Sequence, residues 1–176
     1  MEKFVLNGYE SIKLDKSKTC CFSGHRKQHV DFSFEENSSK LFKLSLKLEN
    51  TVEQVINCGV DTFLCGMALG FDTLCAKTIL KLKGKYKKIK LICVLPCRNQ
   101  EELWEEYEKN RYRHILSKSD WVICNYDNYF DGCNQIRDDF MVDNSSCLIC
   151  FFNGRTGGTS YTLSKAKEKG LKIFLV

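Results

Sequence analysis

Six short apolar runs, separated by five longer stretches of helical spacing, constrain this chain more than any other feature. The runs are TCCFS (19–23), VDTFLC (60–65), IKLICVL (89–95), DWVICNY (120–126), SCLICFF (146–152) and KIFLV (172–176). Residues 35–57 place Leu41, Leu44, Leu48, Val52, Val55 and Ile56 at helical spacing, with Cys58-Gly59 as the stop. Residues 71–83, 99–118, 133–144 and 158–169 fill the remaining intervals with helix-like sequence. Runs that are apolar throughout, rather than alternating, belong to strands buried on both faces. This repeated β-α pattern predicts an α/β fold, a Rossmann-like three-layer sandwich with a mostly parallel sheet of about six strands. A chain of 176 residues suits a single domain, residues 1–176, with 1–18 read as an N-terminal extension.

Composition narrows the class. Hydrophobic residues make up 43% and charged residues 28%, a globular balance. No apolar run approaches the roughly 20 residues that span a bilayer, so no membrane partner is expected. The opening MEKFVLNGYESIKLDKSK is mixed and charged, unlike a secretory leader. Eleven cysteines is an odd count, and Cys20, Cys21, Cys65, Cys93, Cys124, Cys147 and Cys150 lie within apolar runs, where a thiol behaves as a small hydrophobe. No CxxC faces a second pair and no histidine stands at zinc spacing from one, so neither metal nor cofactor is expected. Reduced thiols point to the cytoplasm. Net charge is +5, and its densest source, KLKGKYKKIK (81–90), reads as a solvated helix end and turn in preference to a nucleic-acid footprint.

The polar, glycine-bearing loops mostly follow strands. In an open parallel sheet they gather at the strands' carboxyl ends, where ligands bind. Ser23, Gly24, His25 and Arg26 follow the first run and can turn tightly and donate to an anion, or form an ordinary polar loop. Gly66, Met67 and Gly70 lead into a helix whose amides and dipole suit an anion, and Asp72 in its first turn can cap it, bind a ribose hydroxyl or move a proton. The spacing is not GxGxxG. Gln100 and Trp104, four apart, are expected on one helical face, the indole stacking on a base or serving as core. Arg137 reaches the strand-end edge or pairs with Asp138 or Asp139. Gly157, Gly158, Thr159 and Ser160 offer main-chain amides and hydroxyls to one phosphate, with Arg155 free to close over it.

In this order SGHR, GMALGFD, P-x-x-x-Q-x-x-x-W, Y-x-x-G-x-x-x-x-R-x-x-F-M-V-D and GGTSYT resemble the YpsA family of the SLOG superfamily, over roughly residues 19–176. The resemblance implies a Rossmann-like fold with a nucleotide pocket at the strand-end edge. It also implies a bacterial or phage source, a nucleotide-type small molecule as partner, and pairing into a homodimer. Some relatives hydrolyse the N-glycosidic bond of nucleoside monophosphates, some recognise ADP-ribose-type or cyclic nucleotides, and one branch binds single-stranded DNA. Hydrolytic relatives carry a glutamate soon after the glycine–threonine loop. Here no carboxylate follows Thr159 before Glu168, so a hydrolase would draw its acid or base from Asp72 or Asp138. RDDF at 137–140 replaces the commoner RNxY or RNxF. The expected role is therefore binding of a nucleotide signal, as sensor or sequestering protein. Nucleotide N-glycosidase or phosphoribohydrolase activity is the alternative, and single-stranded nucleic acid ranks last.

Overall fold

The structure, a computed structural model, describes residues 5–34 and 38–176. Each of the six apolar runs forms a parallel strand: β2 (Thr19–Gly24), β3 (Thr62–Cys65), β4 (Lys90–Leu95), β5 (Trp121–Cys124), β6 (Cys147–Phe151) and β7 (Lys172–Leu175). Between them run α1 (Ser39–Asn57), α2 (Phe71–Leu82), α3 (Glu106–Lys118), α4 (Cys133–Asp143) and α5 (Gly158–Glu168). The expected beginning of the first helix, at 35–37, lies outside the described residues. Within them the Ser38 hydroxyl accepts from the Leu41 amide at 3.1 Å and caps α1.

A seventh strand, β1 (Val5–Asn7), pairs in parallel with β5, giving the order β1-β5-β4-β3-β2-β6-β7. Successive strand residues point to opposite faces. Adjacent Cys20 and Cys21 therefore enter two different cores. One core holds Cys20, Phe22 and Phe63 beneath α1, α2 and α3; the other holds Cys21, Leu64 and Leu148 beneath α4, α5 and the N-terminal segment. All eleven cysteines are free thiols, and ten are buried. Among the described residues no helix is long and apolar enough to cross a membrane.

Two local expectations change. Residues 5–18 are integral rather than an extension. Tyr9 is buried, stacks on Phe140 at 4.6 Å and donates its hydroxyl to the Leu95 carbonyl at 2.8 Å. Tyr9→Phe leaves that carbonyl without its side-chain donor and is expected to lower stability by about 1–3 kcal/mol in urea denaturation. Second, α3 starts at Glu106, so Gln100 and Trp104 sit in turns rather than on one helix face. The amides of Arg98 and Asn99 bond to the carbonyls of Tyr126 and Asp127 (2.9 and 3.3 Å), which continues strand-like pairing past β4. The helix begins only where the Glu108 carboxylate accepts from the Glu105 amide at 3.2 Å.

The lysine-rich run lies at the end of α2 and the start of β4, the opposite edge of the sheet from the strand carboxyl ends. Lys81, Lys83 and Lys85 pair there with Glu49, Asp120 and Glu53.

Candidate functional site

The strand order reverses between β2 and β6. The chain leaves β2 for α1 on one face and leaves β6 for α5 on the other, so the two loops diverge and open a crevice. A cleft of about 560 Å³ lies there, lined by Ser23–Arg26, Asp72, Arg137, Asp138, Arg155 and Gly157–Thr159. Eleven of the residues expected at the site thus come together, from loops up to 136 positions apart in sequence.

Two glycines let the β2 loop seat on α2. A Cβ at Gly24 would lie 2.3 Å from the Phe71 ring, and one at Gly70 (φ +103°) would lie 2.8 Å from the Lys27 amide nitrogen. The Phe71 amide donates to the His25 carbonyl at 3.2 Å. This helix start is therefore partly closed by protein, and Gly24 and Gly70 serve the packing of its lid. His25 fastens the other side. Its Nε2 accepts from the Asn153 amide at 2.9 Å, and its ring lies against Phe151 and Phe152. Burial, with help from His29 and Arg155, pulls the His25 pKa below the usual 6.5. A neutral imidazole is required for the bond to Asn153. The stability it contributes is complete above about pH 6.5 and is lost as pH falls through the depressed folded value. NMR titration of the His25 ring is expected to give a midpoint below 6.5.

A buried ion cluster forms the floor. Arg137, 4% exposed, donates from Nε to Asp138 at 2.6 Å and from Nη1 to the Gly66 carbonyl at 2.5 Å. Gln100 donates to the same carbonyl at 3.2 Å. Asp138 also accepts from the Thr162 hydroxyl at 3.1 Å. Arg137 and Asp138 thus neutralise one another, and both face the cleft with their hydrogen bonds largely used. Asp72 accepts from the Ala68 amide at 3.1 Å but forms no ion pair within contact distance among the described residues. Burial pushes its pKa up to about 6, a rise that Arg137 and the Ala68 N–H moderate and Asp138 reinforces.

The rim is different. Arg26 and Arg155 are exposed and make no side-chain hydrogen bond or ion pair among the described residues. The same cleft is lined by the start of α5, whose Gly158, Thr159 and Ser160 amides have no intrahelical acceptor. Gly157 adopts φ +147°, open to glycine, and turns the chain into the helix. The Ser160 hydroxyl accepts from the Gly157 amide and donates to the Gly157 carbonyl, both at 2.8 Å, so it is turned to its own helix end. Donors, a dipole end and two unpaired guanidinium groups converge on one polar space, which suits an anion.

Other expected site residues lie elsewhere. Met67 holds a left-handed backbone (φ 59°), with its side chain in the core. Gly66 sits under Arg137 rather than on the cleft wall. Gln100 and Trp104 line a second cavity, of about 600 Å³, that shares Arg26, Gln28, Ala68, Tyr129 and Asn134 with the first. Sequence reasoning did not single out Asn134 or Gln28, and it took Tyr129 only as the first residue of the Y-x-x-G-x-x-x-x-R motif. Asn134 lies three positions before Arg137 on α4, a helical neighbour of a residue that was considered. A further cavity, of about 650 Å³, lies beyond residues 27–34 and includes Phe32, Leu74 and Lys77, but none of the expected residues except Gly70.

Comparison with known proteins bears on the family and the fold. A UPF0398 protein of Brevibacillus brevis is 30% identical over 156 residues, covering 84% of this chain and 79% of its own. A UPF0398 protein of Halalkalibacterium halodurans is 26% identical over 155 residues, with coverage of 86% and 82%. Among solved structures, DNA processing protein A (DprA) of Streptococcus pneumoniae superposes with a TM-score of 0.64 at 16% identity. Helicobacter pylori DprA, described for its single-stranded DNA binding mode, gives 0.60 at 15%. Each likeness covers 91% of this chain, which spans only half of the pneumococcal protein and 65% of the Helicobacter one. The YpsA model, described as the YspA SLOG family, matches residues 20–173, from the first strand of the switch point to the last strand of the sheet, and the chain belongs to that family.

Proposed function

We propose that the switch-point cleft binds a nucleotide or nucleotide-derived signal, of the ADP-ribose-like or cyclic class, as a sensor or sequestering protein. The observation that carries this reading is the pairing of the open α5 start with Arg26 and Arg155. A phosphate fits there on the Gly158 and Thr159 amides, with a guanidinium on either side. Arg137 contributes field, with two of its five N–H donors held by Asp138 and the Gly66 carbonyl and a third directed at Asn134 Oδ1 at 3.5 Å. Calorimetric titration with AMP, ADP-ribose and cyclic AMP tests it. At least one ligand is expected to bind, and Arg26→Ala/Arg155→Ala is expected to weaken it by about 100-fold, two charge-assisted contacts at roughly tenfold each. No heat from any of the three at millimolar concentration would overturn it.

A second reading, hydrolysis of a nucleotide's N-glycosidic bond, draws on Asp72. It is the cleft carboxyl with a pKa raised to about 6 and no ion-pair partner, whereas Asp138 is committed to Arg137 and Thr162. Ionised Asp72 can stabilise an oxocarbenium ion or activate water. Release of free base should then rise with pH through about 6 and vanish in Asp72→Asn. The DprA-like fold favours a third assay, oligonucleotide binding at low salt, in which genuine affinity falls steeply as salt rises.

A further inference from the structure

Two cavities share Arg26, Gln28, Ala68, Tyr129 and Asn134, and Tyr129 is the one aromatic residue among these five. The switch-point cleft is polar, with Arg155 and the α5 amides. The second cavity includes Pro96, Leu103 and Trp104 among its walls. Tyr129 borders both, and it is 58% exposed. Its backbone is nevertheless fixed. The Tyr129 amide donates to Asn99 Oδ1 at 2.9 Å, and the Phe130 carbonyl accepts from the Cys133 amide at 3.1 Å, where α4 begins. The Phe130 ring is itself held edge-on against Tyr126 at 4.8 Å. The Tyr129 hydroxyl lies 3.5 Å from Asp131 Oδ1, at the long limit of a hydrogen bond. Trp104 is spent otherwise: it packs edge-on against the buried Tyr112 at 5.1 Å, on the flank of the core. Leu103, by contrast, is 95% exposed on the wall of the second cavity.

An exposed aromatic ring on a fixed backbone binds a flat group with little loss of conformational freedom. Here such a ring borders both the anion cradle and a cavity whose walls include Pro96, Leu103 and Trp104. We propose that Tyr129 is the specificity-determining residue for the base of the ligand. The phosphate rests at the start of α5, and the heterocycle stacks on the Tyr129 ring and extends into the second cavity beside Leu103. The inference rests on the proposed nucleotide cleft and adds the means by which a nucleotide is told from a plain sugar phosphate. The cradle accepts either; only the nucleotide has a ring face for Tyr129.

The test compares AMP with ribose 5-phosphate by calorimetry on the full chain. The wild type is expected to bind AMP more tightly. Tyr129→Ala and Tyr129→Leu should each weaken AMP by about tenfold or more, the usual worth of one base–aromatic stack. Ribose 5-phosphate should be unaffected, and Tyr129→Trp should restore AMP. Since Tyr129 is largely exposed, both truncations are expected to fold, and Tyr129→Leu keeps an apolar side chain if Tyr129→Ala does not. Unchanged AMP affinity in the truncations would overturn the role of Tyr129 while leaving the cleft intact. Equal losses for the two ligands would do the same, because they would mark a change of cleft shape. A wild type that binds neither ligand would overturn this inference, and one that binds neither of them, nor ADP-ribose or cyclic AMP, would overturn the cleft reading with it.

Discussion

Gly66→Ala is expected to destabilise the protein by about 3–5 kcal/mol, as much as removing one partner of a buried ion pair. The backbone at Gly66 has no positive φ, so alanine meets no conformational objection there. The objection comes from across the molecule. A Cβ at position 66 would lie 2.0 Å from Nη1 and 2.5 Å from Cζ of Arg137. The guanidinium would have to leave, taking its bonds to the Gly66 carbonyl and Asp138 with it, and it is nearly fully buried. Arg137→Met should cost a similar amount, because it strands the Asp138 carboxylate. The diagnostic is their combination. With the guanidinium absent, the three closest contacts of the added methyl are gone, so the double variant should be more stable than the sum of the single losses by at least about 1 kcal/mol. Urea denaturation of the four proteins measures this. Additive losses, or a Gly66→Ala protein within 0.5 kcal/mol of wild type, would mean that Arg137 rests elsewhere.

Asp72→Asn is expected to gain stability relative to wild type as pH rises from 4 to 7, by about 2 kcal/mol over that range. The sign follows from the raised pKa. Unfolded, Asp72 titrates near 3.8; folded, burial holds its proton until about pH 6. Below pH 3.8 both states are protonated and the folded state keeps the full benefit. Between the two values only the unfolded chain releases the proton, so stability falls as pH climbs. Above about 6 the buried carboxylate is ionised and the loss is complete. His25 works in the opposite sense, losing stability as pH falls below 6.5. The wild-type profile alone mixes the two, whereas the difference between wild type and Asp72→Asn cancels the histidine. Asparagine also retains an acceptor for the Ala68 amide. A difference that stays flat between pH 4 and 7 would place the Asp72 carboxyl in water.

The sheet was legible because burial on both faces leaves a signature that needs no long-range information: strands such as LICVL and CLICF can only be interior. β1 left no such mark. Three residues at an edge carry little pattern, and what holds them, Tyr9 against Phe140 and Leu95, depends on partners 86 to 131 positions away. The start of α3 was misread for a related reason. NQEELW has good helix formers, but the amides of Arg98 and Asn99 are already taken by the β5 loop. Loop chemistry and strand-end position pointed to Arg26, Arg155 and Gly157–Thr159, which line one cleft. The same reasoning read Gly24 as a tight turn and Gly66 and Gly70 as the glycines of an anion-binding helix start. Gly24, Gly66 and Gly70 instead make room for Phe71, Arg137 and the Lys27 backbone, contacts that arise only after folding. Tyr129 was visible as the first residue of the Y-x-x-G motif, but its place on the border of two cavities arises only in the folded chain.

Amide chemical-shift mapping during a nucleotide titration tests the nucleotide cleft most directly, because it reports on main-chain donors residue by residue. Saturable shifts concentrated at Gly157–Thr159, Ser23–Arg26 and the loop around Tyr129 are expected, with the lysine-rich edge at 81–90 unmoved. Shifts confined to that edge, or to the cavity between residues 27–34 and α2, would contradict the assignment of the cleft.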